Sequence, residues 1–77
     1  MLIGRIDIKE RQKILVTIRN AKMGKVIDVR VHNTGEEGQL VATEAGLSLT
    51  VEQVDRAIEL LKEAQARVAG ERPDEGA

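Results

Sequence analysis

The stretch 50–68 constrains the fold more than any other part of the chain, because it combines a helix start signal with a helical apolar pattern. Thr50 is followed three residues later by Gln53, the spacing of a capping box in which each side chain satisfies the other's backbone N–H. Beyond it, apolar side chains recur every three or four residues, which predicts a long amphipathic helix. They are Val51, Val54, Ala57, Ile58, Leu60, Leu61, Ala64 and Val68.

The chain is small and lacks the side chains that bury the most area. It has 77 residues, with no Phe, Tyr, Trp or Cys. Aromatic side chains dominate the energetics of cores, and a chain of this length buries only about 60% of its unfolded surface. Without cysteine, neither a disulfide nor a thiolate zinc site can strengthen so small a domain. Association is the remaining way to bury apolar surface, and we therefore expect a homodimer.

Four segments before the helix show the alternation that is typical of β-strands: 2–8, 13–19, 25–32 and 39–43. Short loops between consecutive strands predict an antiparallel meander, with one face available to the helix. The expected fold is therefore α+β, a four-stranded antiparallel meander followed by one C-terminal helix (β-β-β-β-α), in a dimer. We expect this single domain to cover 1–69, and the polar stretch 70–77 to be a disordered tail.

Charge is distributed unevenly along the chain. Eight basic and three acidic side chains fall within 1–30, although the whole chain has a net charge of −1. Strand parity places Arg19 and Arg30 on the sheet face that the helix does not cover, where a row of cations would suit a phosphate backbone. The alternative is that both are solvated strand residues, with Arg30 paired to a carboxylate across the hairpin. We interpret Asp28 as an ion-pair partner of these cations.

No pattern in the sequence indicates catalysis. His32 is the only histidine, and no nucleophile or metal partner accompanies it. We interpret it as an exposed residue at a strand end. We therefore predict no enzyme activity, no metal site and no cofactor. The longest uncharged run is far too short to span a membrane, so we expect a cytoplasmic protein without a membrane partner.

Three segments, in this order, resemble the transcriptional coactivator family of positive cofactor four: 16–19 (Val-Thr-Ile-Arg), 24–30 (Gly-Lys-Val-Ile-Asp-Val-Arg) and 46–53 (Gly-Leu-Ser-Leu-Thr-Val-Glu-Gln). The resemblance extends over 3–65, and within the family the chain looks like a bacterial or phage-like member. It implies a protomer that dimerises through its helix and binds single-stranded DNA, or RNA, across the sheets. It also implies transcription machinery as a further partner and, in a bacterium, association with the nucleoid.

The resemblance assigns phosphate contacts to basic positions that match the family's. Arg19, Lys25 and Arg30 are the principal candidates, because each matches a basic residue at a strand start or end. The outer members of the set are Arg5, Lys13 and Lys22.

Two departures from the family's pattern weaken the expected binding. The family stacks unpaired bases on aromatic side chains, which this chain lacks, and each stacked base contributes about 1–3 kcal/mol. Glu44 also stands in a stretch that is basic in the family. We therefore expect binding that is weaker, more electrostatic and steeper in salt.

The helix carries a second candidate site, the predicted dimer interface. Its members occupy the first and fourth positions of successive heptads, the positions that meet in a coiled coil. The alternative is that they form a core within one chain. The interface residues are Val54, Ile58, Leu61, Gln65 and Val68.

The predicted function is that of a non-catalytic, coactivator-like homodimer that binds single-stranded nucleic acid. The alternative function is a dimeric protein-interaction module that has lost most nucleic-acid affinity.

Overall fold

The structure is a computed structural model that describes the backbone of residues 1–76 and the side chains of residues 1–70. Four strands precede one helix, which confirms the predicted α+β order. The expected disordered tail, 70–77, lies almost entirely outside the residues whose side chains are described, and it stays a prediction. The strands are β1 (Leu2–Lys9), β2 (Gln12–Ala21), β3 (Gly24–Thr34) and β4 (Leu40–Leu49), and the helix is α1 (Val51–Gly76).

The strands form one antiparallel sheet in the order β1-β2-β3-β4, the predicted meander. The β2–β3 connection is a tight hairpin in which Ala21 pairs with Gly24. Gly24 adopts a φ of 127°, a conformation that side-chain-bearing residues rarely reach. From this hairpin, the register between β2 and β3 continues without interruption to the pair of Gln12 and Asn33 at the other end of the two strands.

Residues that face each other across the strands divide the sheet into two chemically different surfaces. The helix-side face is apolar, and the opposite surface, which we call the polar face, carries most of the ionisable groups. This division confirms the parity predicted from the sequence. The helix-side face carries Ile6, Ile14, Val16, Ile18, Ile27, Val29, Val31, Leu47 and Leu49; the polar face carries Arg5, Asp7, Lys13, Leu15, Thr17, Arg19, Asp28, Arg30, His32 and Ser48.

The fourth strand is longer than the predicted 39–43, because it continues through an irregularity to Leu49. Arg30 pairs with Gly46 and His32 pairs with Ala42, so that residues 43–45 oppose a single residue of β3. Bulges of this kind bend the strand that contains them. The alternating pattern breaks within the bulge, which is why the sequence placed a strand end there.

The helix begins as predicted. The Thr50 side-chain oxygen accepts a hydrogen bond from the Gln53 backbone N–H at 3.2 Å, and Gln53 Oε1 accepts one from the Thr50 N–H at 2.9 Å. The reciprocal capping box is therefore confirmed. Over the part of α1 that the structure describes, no segment has the length and hydrophobicity to cross a membrane.

The chain encloses little apolar surface. Leu15, 6% exposed, is the one buried apolar side chain among residues 1–70. Within the same residues α1 packs against β3 and β4 and not against β1 or β2. Leu61 and Val68 remain 69% and 55% exposed on the helix, and Ile6 remains 58% exposed on β1. Much of the apolar surface is therefore left exposed among the residues whose side chains are described.

We predict that Gly46→Ala destabilises the fold by about 1–3 kcal/mol through overpacking. A Cβ atom at this position would lie 2.6 Å from the Val29 carbonyl oxygen and 2.7 Å from the Arg30 Cα, both backbone atoms. Urea unfolding followed by circular dichroism measures the change. The matched control is Gly70→Ala, where a Cβ meets nothing within 4 Å and helix propensity favours alanine. Equal stability of the two variants would contradict the close approach at Gly46.

Candidate nucleic-acid interface

A buried carboxylate lies at the centre of the polar face. Asp28, on β3, is 4% exposed and stands opposite Thr17 of β2 and Ser48 of β4. Arg30 follows two residues later on the same face and donates two hydrogen bonds to it, from Nε to Oδ2 at 3.1 Å and from Nη2 to Oδ1 at 3.2 Å. Ser48 Oγ donates a third to Oδ1 at 2.8 Å. The interpretation of Asp28 as an ion-pair partner is confirmed, although Arg30 reaches it along the same strand.

Arg19 joins this network from the neighbouring strand. Its Nη2 donates to Ser48 Oγ at 3.2 Å, and its Nε lies 3.9 Å from Asp28 Oδ1. The side chain remains 57% exposed, in contrast to 23% for Arg30. Arg19 therefore combines a fixed position with a guanidinium surface that faces solvent.

Arg30 has a further structural role at the β4 bulge. Its Nη1 donates to the Thr43 carbonyl oxygen at 3.1 Å. Thr43 Oγ1 in turn donates to the Val31 carbonyl oxygen at 2.8 Å and accepts a hydrogen bond from the Ala45 N–H at 3.1 Å. The Arg30 side chain thus connects the central carboxylate to the backbone of the bulge, which holds the outer strand in place.

Opposing effects act on the ionisation of Asp28. Hydrogen bonding from Arg30 lowers the pKa of the Asp28 carboxyl most strongly, and burial raises it. The Ser48 hydroxyl and the positive charges of Arg30 and Arg19 lower it further. The net result is a pKa below the usual aspartate value, so that the carboxylate is charged at neutral pH. The same pair raises the pKa of Arg30.

These side chains surround a shallow cleft on the polar face, which brings together two of the predicted contacts, Arg19 and Arg30. His32 also lines the cleft, and its Nδ1 lies 3.2 Å from the Arg30 carbonyl oxygen. It is half-buried rather than an exposed strand end as predicted. The lining residues are Thr17, Arg19, Asp28, Arg30, His32 and Ala42.

The other four predicted contacts lie outside the cleft. Arg5 and Lys13 belong to the polar face nearer β1, where Asp7 Oδ1 lies 4.0 Å from Arg5 Nε and 3.9 Å from Lys13 Nζ. Lys22 is in the β2–β3 turn. Lys25 stands opposite Asn20, at a position whose parity is that of the helix-side face. The cations of β1 and β2 thus flank the cleft on its own face, whereas those of the hairpin lie at the end of the sheet.

Sequence reasoning missed the uncharged members of the network. Ser48 lies in a segment that resembles the family but carries no predicted contact, and Thr43 is the predicted end of a strand. The hydrogen bond from Ser48 to Asp28 and the one from Arg30 to the Thr43 carbonyl oxygen both depend on the register between β3 and β4. The local sequence pattern does not reveal that register. Among residues 1–70, no three carboxylate or histidine side chains gather into a group able to hold a metal ion.

Comparison with known proteins identifies structural relatives of this arrangement. BPSL1147, a PC4 (positive cofactor four) homolog from Burkholderia pseudomallei, has the same fold in its tetragonal crystal form, with a TM-score of 0.79 and 25% sequence identity. The match covers 84% of this chain and 96% of that one. The chain is a PC4-like protein. The orthorhombic form of BPSL1147 gives a TM-score of 0.80 at 25% identity, over 84% of this chain and 88% of that one.

No family model matches the PC4-like chain, and no curated protein matches it significantly in sequence. The relationship is therefore carried by the backbone arrangement together with the motifs that resemble the family.

The buried carboxylate predicts a defined pH dependence of stability. Because the folded-state pKa of Asp28 is lowered, the unfolded chain binds more protons as the pH falls below about 5, and stability decreases there. The stabilisation is fully present above the unfolded aspartate pKa of about 3.9 and is lost as the pH falls through the folded-state value. We expect Asp28→Asn to cost about 2 kcal/mol at pH 7 and to flatten the acid limb of the stability profile.

Urea unfolding between pH 2.5 and 7 measures this effect, with Asp7→Asn as the matched control. The Asp7 side chain is 72% exposed and lies at the long limit of its two ion pairs. Its removal should change little, since exposed pairs contribute about 0–1 kcal/mol. An acid limb that is equally steep in wild type and Asp28→Asn would contradict the assignment.

Proposed function

We propose that the PC4-like chain is a non-catalytic homodimer that binds single-stranded nucleic acid on the polar face of its sheet. The observation that carries the proposal is the cleft in which Arg19 is held by Ser48 beside Asp28 while its side chain stays 57% exposed. An ordered guanidinium loses less conformational entropy when it meets a phosphate than a mobile one does.

The cations have different roles in this proposal. Arg30 is committed to Asp28 and Thr43, so its charge is largely balanced and it acts mainly by holding the cleft in shape. Arg19 supplies the charge that faces outward. Arg5 and Lys13 extend the phosphate path on the same face, and Lys22 and Lys25 add charge at the hairpin end.

The chain has no aromatic side chain for base stacking, so phosphate contacts carry most of the affinity. Counterion release then makes the binding steeply dependent on salt. Acting beside the transcription machinery in the cytoplasm is the cellular role that agrees with the family resemblance. A protein-interaction module without nucleic-acid affinity is the competing function, and it becomes the better one if binding is absent at low salt.

The homodimer part of the proposal rests on α1. Leu61, Ala64, Gln65 and Val68 line an open groove along the helix. Val54 is half-buried, whereas Ile58, which belongs to the same apolar stripe, is 45% exposed. A second copy that lays its own stripe against this one would remove these side chains from water, at about 25 cal/mol per Å² of apolar surface.

We predict that Arg19→Ala weakens binding of a fluorescently labelled oligo-thymidine by about tenfold at low salt, and lowers the salt slope by about 1. Fluorescence anisotropy over a salt series measures both values. The matched control is Arg67→Ala, whose side chain is 75% exposed and pairs with Glu63 at 2.7 Å on α1, away from the polar face. Equal losses from the two variants would contradict a specific role for Arg19.

We predict that Leu61→Asp disrupts the dimer, because desolvating a carboxylate at the helix interface costs about 3 kcal/mol or more, equivalent to a roughly hundredfold weaker dimer. Sedimentation equilibrium measures the association, and circular dichroism reports the accompanying loss of helix. Lys62→Asp places the same side chain one residue further along, on the solvated side of the helix, and should leave the dimer intact. Wild-type association of the Leu61 variant would overturn the helix interface.

A further inference from the structure

The outer edge of β1 presents backbone groups without a neighbouring strand and apolar side chains that remain about half exposed among residues 1–70. β1 is an end strand of the sheet, paired with β2 on one side only. Ile3, Ile6 and Ile8 are 59%, 58% and 46% exposed. The other end strand, β4, is interrupted by the bulge at 43–45, whereas β1 is regular from Gly4 to Asp7. An exposed, apolar edge strand is a template for pairing with a further strand.

The charges along β1 are complementary to those of a second β1. In an antiparallel pair related by a two-fold axis at Ile6, Arg5 of one copy stands opposite Asp7 of the other, twice, and the two Ile6 side chains face each other. Arg5 and Asp7 lie on the polar face and Ile6 on the helix-side face, so the pairing joins like surfaces. Cross-strand pairs of opposite charge and of apolar side chains both stabilise a sheet.

Other registers fit less well. An axis at Arg5 or at Asp7 sets like charges directly opposite each other. An axis at Ile8 sets Asp7 opposite Lys9, but it pairs the strands across the register shift between these residues. The register centred at Ile6 is the one that keeps all three paired residues inside the regular part of β1.

The side chains that would make the new ion pairs are accessible. Arg5 and Asp7 are 61% and 72% exposed. Within the protomer, Asp7 Oδ1 lies 4.0 Å from Arg5 Nε and 3.9 Å from Lys13 Nζ, both at the long limit of an ion pair. An ion pair between Asp7 and a closer cation of a second copy therefore contributes more than the long ion pairs that it replaces.

We infer that a second copy of this chain pairs antiparallel along the β1 edge, with Arg5 of each copy opposite Asp7 of the other. The result is a continuous eight-stranded sheet in which both polar faces point to the same side. This interface is separate from the proposed helix interface. Two different two-fold interfaces on one chain assemble four or more copies. The pairing along β1 does not depend on the proposed function, whereas the number of four or more copies rests on the proposed helix interface.

Charge reversal tests the register. At low salt and without nucleic acid, sedimentation equilibrium of the full chain should show Arg5→Asp weakening one association step by about tenfold, because two attractive pairs become repulsive. Asp7→Arg should act similarly, and the double variant Arg5→Asp/Asp7→Arg should restore association. The matched control, Lys9→Asp, makes the same charge change beyond the regular part of β1 and should leave association unchanged. If the single reversals leave association as it is in the wild type, the inference fails.

A single cysteine tests the contact directly, since the chain contains none. Directly opposite residues of an antiparallel pair have Cα atoms about 4.5–5.5 Å apart, a separation that a disulfide spans. Under mild oxidation Ile6→Cys should form linked dimers at least about tenfold faster than Val41→Cys, whose native side chain is 50% exposed on the other edge strand. Equal rates at the two positions would overturn the pairing.

Discussion

The structure depends on how little apolar surface a single chain of this composition can enclose. A chain without aromatic residues fills its interior with Val, Ile, Leu and Ala, and in this fold Leu15 is the one buried apolar side chain among residues 1–70. The sheet is only partly covered, because within those residues α1 packs against β3 and β4 and not against β1 or β2. Small domains of this kind lie close to the limit of stability. Surfaces that a larger protein would hide are therefore available for association.

The polar face follows a different principle, in which one carboxylate organises several donors. Asp28 accepts hydrogen bonds from Arg30 and Ser48, and Arg19 reaches the network through Ser48. The buried negative charge is stable there because its donors satisfy it. The arrangement separates the two arginines by role, since the one that is bidentate to Asp28 is held within the framework while the other faces solvent. The hydrogen bonds thereby hold the basic side chains in defined positions on the polar face.

The proposed contacts between copies make use of the same division into faces. Helix pairing covers the apolar stripe of α1, and pairing along β1 extends the sheet while keeping each polar face on one side. Neither contact occupies the cleft that contains Arg19. An assembly built in this way would display several clefts to one extended ligand, and linked sites of this kind raise the overall affinity through effective concentration. Such a gain would offset the affinity that is lost when no base can stack on an aromatic ring.

The sequence alone determined the order of the elements, because alternation and helical periodicity are local properties. The capping box at Thr50 and Gln53, the parity of β2 and β3, and the pairing of Asp28 with a cation were all predictable for the same reason. Tertiary structure decided the rest. The β3–β4 register brings Ser48 to Asp28 and creates the bulge at 43–45, and the hairpin register places Lys25 opposite Asn20. These features depend on which residues face each other across strands, and cross-strand neighbours are set by the whole sheet rather than by any one segment.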